Sequence, residues 1–134
     1  MTRARVFLAV VGVVFLAGFA IPLFLVPFEW ADAFGWHVER TDLGSYFGRC
    51  LGAVAIAISG QALWASRAPA AYRPLFELIA AAAALLAVVH LRGLLEESQP
   101  PVEHVETAMY AGFAALALWC RPPPPAAAPP GSGR

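Results

Sequence analysis

Lysine is missing from this chain. Its nine basic residues are all arginine, and nine acids balance them to a formal charge of zero. Charged residues of both signs make up only 13% of the sequence. There is no basic excess to draw nucleic acid and no acidic excess to buffer cations, so neither partner class is expected. Cysteine is scarce as well. Cys50 and Cys120 lie in neither a CxxC nor a Cys/His spacing, which leaves both as small packing residues rather than zinc or redox groups. No HExxH and no paired ExxH occurs. The common helix-borne metal sites therefore lack a motif, and neither a metal ligand nor a catalytic residue is assigned.

What the chain has in excess is apolar sequence. Hydrophobic residues make up 60% of its 134 positions, above the roughly 45–50% of a water-soluble domain. A membrane-crossing helix needs about 20 mostly apolar residues. Residues 6–28 (VFLAVVGVVFLAGFAIPLFLVPF), 45–64, 75–95 and 101–120 each supply such a run. The expected fold is all-α: an antiparallel bundle of four transmembrane helices forming one domain over residues 1–121. The Pro/Ala-rich residues 122–134 cannot continue a helix and read as a disordered tail.

Orientation follows from the arginines, because positive residues flanking spans are retained in the cytoplasm. Arg3 and Arg5 precede span one, Arg67 and Arg73 separate spans two and three, and Arg121 follows span four. All five share one side, which puts both termini inside. The other side receives Glu29, Asp32, Glu39, Asp42, Glu96, Glu97, Glu103 and Glu106, leaving Glu77 as the one acid near the inner face. Trp30, Trp36 and Tyr46 fall at outer ends and Trp64, Tyr72 and Trp119 at inner ends, as interfacial rings prefer. The expected location is a bacterial inner membrane. A cleavable signal peptide ending at Ala31–Ala33 is the competing reading of the N-terminus, but its apolar stretch of about 23 residues exceeds the 7–15 of a signal.

Helices associate in lipid through small residues that let backbones approach. Gly44, Gly48 and Gly52 open span two as a doubled GxxxG stripe, and spans three and four are rich in alanine. Pro22 and Pro27 predict a kink or early end in span one. The segment EWADAFGWHVERTDLG that follows reads as an interfacial loop, with an amphipathic surface cap as the alternative.

An ionisable group inside a span is a functional candidate by default. Side chains lean toward their helix N-terminus, so Arg49, Glu103, Glu106 and Tyr110 near the outer starts of spans two and four lean toward water. Glu103 in particular reads as a helix-end acid on the positive end of the dipole. His90 lies near the outer end of span three, whose direction is reversed, and leans deeper into the bilayer. Glu103, Glu106 and Tyr110 share one stripe at i, i+3 and i+7. The candidate site is thus a polar cluster of Arg49, His90, Glu106 and Tyr110 opening to the outer face.

In the number, length and order of its spans, residues 6–120 resemble the DoxX-type small four-helix membrane proteins. The resemblance implies a link to quinone or redox accessory subunits. The expected function is binding of a quinone, lipid or similar amphipathic molecule, with the outer cluster gripping its head group. The alternative is a structural or accessory subunit of a membrane complex or homo-oligomer, using the glycine stripe between chains. A metal site or enzyme built on His90, His104, Glu103 and Glu106 is disfavoured because Glu103 and His104 point about 100° apart on a helix and cannot both face His90, and haem ligation by His90 and His104 because their depths differ by several ångströms. A small multidrug exporter is disfavoured because span one carries no acid.

Overall fold

The computed structural model describes residues 2–36, 38–96 and 100–124; Glu97 and the tail from residue 125 onward lie outside the described residues. Among the described residues every regular element is helical: α1 (Arg3–Leu25), α2 (Pro27–Ala33), α3 (Asp42–Ala65), α4 (Arg73–Leu95) and α5 (Glu103–Cys120), with a 3-10 turn at Pro69–Tyr72 before α4. Three of them, α1, α3 and α4 with its leading turn, are long and apolar enough to cross a membrane. Large apolar side chains such as Val10, Val13, Leu85, Val88 and Val89 face outward and are more than half exposed. A helix that is apolar all round, with its larger residues outside, suits hydrocarbon rather than water.

Proline shapes the first helix. Residue 22 would donate to the Gly18 carbonyl in an unbroken α-helix, and Pro22 has no amide to give. The chain responds by widening into a π turn at Leu16–Ala20, and Trp30 Nε1 donates to the Gly18 carbonyl at 2.9 Å. Val26 then leaves the helical region (φ −136, ψ 62) ahead of Pro27, as residues before proline tend to. The predicted kink and early end are both present. The next segment is a short helix rather than only a loop. Arg40 holds α2 by hydrogen bonds to Glu29 (3.0 Å) and Asp32 (2.9 Å), and the Thr41 hydroxyl accepts from the Gly44 amide at 3.0 Å to cap α3.

The glycine stripe lies under this corner. A Cβ added at Gly48 would sit 2.7 Å from Pro27 Cβ, and one at Gly52 would sit 2.5 Å from the Phe24 amide nitrogen. Contact of that closeness is open only to glycine. Gly44 is less tightly covered, a Cβ there lying 3.1 Å from the Thr41 hydroxyl and 3.4 Å from Phe28. The stripe is therefore spent within the chain, joining α1 and α2 to α3.

Four interactions gather the start of α1, the end of α3, the start of α4 and the end of α5. Arg5 donates to the Ser66 and Arg67 carbonyls at 3.1 and 3.0 Å, Arg3 lies 5.1 Å from the Trp119 ring centre, and Arg121 bonds Glu77 at 2.8 Å. The five flanking arginines thus share one end of the molecule. Next to them lies the dry core: Leu8, Ala62, Ala65, Phe76 and Ala117 are fully buried, and Phe7 stacks on Phe76 at 5.8 Å. Cys50 is exposed and Cys120 buried, and they are not bonded to each other.

Candidate functional site

The other half of the molecule is built differently. α4 and α5 form the tightest helix pair, and α5 begins only at Glu103, after a turn at residues 101–102. The first two turns of α5 meet His90, some five residues before the end of α4. His90 Nδ1 lies 2.6 Å from Glu103 Oε2 and 3.3 Å from Glu106 Oε2. An ionised carboxylate only accepts, so Nδ1–H donates in the shorter contact. The His90 ring stacks on Tyr110 with centres 4.9 Å apart and planes 19° from parallel, which fixes the imidazole on its second side.

The cluster is well removed from the surface. Side-chain exposure is 15% for His90, 13% for Glu106 and 1% for Glu103, and Tyr110 is buried. Glu103 Oε1 and Thr107 Oγ1 are buried without a hydrogen-bond partner. Orphaned polar atoms are uncommon in native interiors and call for an account.

Of the four residues expected in the cluster, the structure brings together His90, Glu106 and Tyr110. Arg49 is not with them: it is exposed on α3, where its long side chain can reach polar surroundings. The residue missed is Glu103. Read as a helix-end acid leaning to water, it is the most buried charged group among the described residues and makes the shorter of the two carboxylate contacts to His90. Its place in the Glu103–Glu106–Tyr110 stripe was the available signal. What hid it was the facing of α5: only packing against α4 turns this side chain onto His90 rather than toward water. His104, one residue on, is exposed and faces away from His90.

Between the cluster and the dry core lies a cavity of ≈ 270 Å³. It is walled by Phe15 and Phe19 of α1, Ala55 and Ser59 of α3, Ala83 and Leu86 of α4, and Tyr110 and Phe113 of α5. Ser59 and Tyr110 are its only polar side chains. Leu51, Val54 and Leu85 also line it and are themselves exposed, so the space opens sideways between α3 and α4. Tyr110 belongs to both regions, lining the cavity while it stacks on His90. No family model, curated protein or solved structure matches the chain.

Proposed function

We infer that this chain is a four-span integral protein of a bacterial inner membrane, with both termini cytoplasmic, that holds one amphipathic molecule between its helices. At 1.5 Å per residue the 18-residue α5 is about 27 Å long, and the turn before it brings it to the roughly 30 Å of a hydrocarbon core. The shared end of the five arginines supports the orientation.

The observation that carries the ligand reading is the cavity that opens sideways toward lipid and ends on Tyr110. Its lining surface is apolar throughout, which matches the ring or tail of such a molecule, and the polar His90, Glu103 and Glu106 lie behind the Tyr110 ring. At ≈ 270 Å³ it takes a quinone ring or a length of one acyl chain, and the rest of the tail runs out between α3 and α4 into the bilayer. The architectural resemblance to DoxX-type proteins favours a quinone among these. The competing homo-oligomer loses its main argument, because Gly48 and Gly52 are covered by Pro27 and Phe24 of the same chain.

The test is extraction of the detergent-purified protein followed by mass spectrometry of quinones and lipids. The wild type is expected to carry a bound amphipathic molecule in near-stoichiometric amount. Ala83→Phe, which fills the cavity, should remove it, whereas Val14→Phe on the exposed face of α1 should not. A wild type that yields only bulk lipid, in the same proportion as Ala83→Phe, would overturn the reading.

A further inference from the structure

We propose that His90, Glu103 and Glu106 form a binding site for one divalent transition-metal cation of zinc-like ligand preference. The proposal does not depend on what fills the cavity.

The first argument is charge. Two carboxylates and one imidazole converge beside an apolar cavity, and among the described residues no arginine pairs with either acid: Arg92 is engaged with Glu96 at 2.7 Å, Arg73 and Arg121 with Glu77, and Arg40 with Glu29 and Asp32. With both carboxylates ionised the group keeps a net negative charge even when His90 is protonated. Burying an unbalanced charge is heavily unfavourable. A dication held by two carboxylates and a neutral imidazole brings the site to zero. The positive end of the α5 dipole helps but supplies only about half a charge.

Donor geometry is the second argument. One ligand atom from each residue can be chosen so that all three lie within 4.8 Å of one another. Ligands on a tetrahedral ion with bonds of about 2.0–2.2 Å stand roughly 3.3–3.6 Å apart. His90 and Glu106 are already at 3.3 Å, the 2.6 Å contact between His90 and Glu103 has to widen, and the two carboxylates, within 4.8 Å of each other, settle to the same spacing. As the ion takes its place at Nδ1, a doubly protonated ring releases that proton to solvent and a neutral ring carries its one proton on Nε2 instead, so the ligating imidazole is neutral.

The third argument is independent of the cluster's internal bonds. Glu103 is 1% exposed, yet its Oε1 has no partner, and neither does the buried Thr107 hydroxyl one turn later. A metal-bound carboxylate and a metal-bound water would each supply what these atoms lack. A nitrogen donor among the three selects against magnesium and calcium, which take oxygen ligands, and for zinc, iron(II), manganese or cobalt.

The experiment uses the full chain in mild detergent with any affinity tag removed, stripped with chelator and dialysed. Zinc uptake is read by elemental analysis, and cobalt(II) serves as a visible spectroscopic probe. The wild type should bind one zinc per chain, raise its unfolding temperature on binding, develop cobalt d–d absorption, and ignore magnesium. Glu103→Gln, which keeps the shape, and His90→Ala should each weaken zinc binding by at least about tenfold and abolish the cobalt bands. His104→Ala, at an exposed neighbour, should behave as wild type. Uptake below one equivalent by the wild type, or equal uptake by Glu103→Gln, overturns the site and leaves the cluster holding protons only. Ligand extraction with Ala83→Phe reads the cavity separately, so the two readings fail by different measurements.

Discussion

The two halves of the molecule solve the same problem, charge at the ends of apolar helices, in opposite ways. At the arginine end the charges are long and partly exposed, and they lie over a closed core of Leu8, Phe76 and alanines. Each reaches outward to a carbonyl, a ring or a carboxylate, as Arg5 does to Ser66 and Arg67. At the acidic end three short groups turn inward and meet, beside a cavity rather than a core. Reach lets a charge stay in polar surroundings whatever its helix does. A short side chain has no such freedom, so its partner must be brought to it. The arginine end is held by partly exposed contacts, and the acidic end gathers buried ionisable groups.

The sharpest way to break this contrast is His90→Ala. It leaves Glu103 and Glu106 facing one another in a buried site, and loss of one member of such a group is expected to destabilise by about 3–5 kcal/mol. Unfolding by SDS in mild detergent measures it. A change under about 1 kcal/mol would mean that the acids are hydrated and the two ends are not different in kind.

Next in size is Phe76→Ala in the dry core. Because the unfolded helices also lie in lipid, the transfer part of the usual 3–5 kcal/mol loss is mostly absent, and about 2 kcal/mol remains from lost packing. Leu86→Ala, which only enlarges an existing cavity, should lose less than half of that in the same assay. Equal losses would erase the distinction between a closed core and an open one.

Arg5→Ala should lose about 1 kcal/mol, the ordinary worth of hydrogen bonds from a charged donor to partly exposed carbonyls. The smallest effect is expected for Arg121→Gln. Its pair with Glu77 is 35% and 46% exposed, so a loss of no more than about 0.5 kcal/mol, further reduced by salt, should appear. A larger loss for Arg121→Gln than for His90→Ala would reverse the assignment of the two halves.

Much of the fold was legible because its causes are local. Pro22 and Pro27 announced the break in the first helix, and Gly48 and Gly52 announced close backbone approach, though not that Pro27 and Phe24 would be what approached. The cluster was legible in part: His90, Glu106 and Tyr110 share helix registers that meet across a hairpin, whereas Arg49 was drawn in by a register on α3 whose facing only packing could decide.

Composition and periodicity alone pointed to helical structure with four apolar runs, of which three helices are long and apolar enough to cross a membrane, and set the flanking arginines at every second helix end. These are properties of single segments, set by backbone donors that must be satisfied within the helix and by side chains that match their solvent. Tertiary structure alone decided that Glu103 turns onto His90 and that a cavity lies beneath Tyr110. Those depend on the relative height and rotation of two helices, and no single segment carries that information.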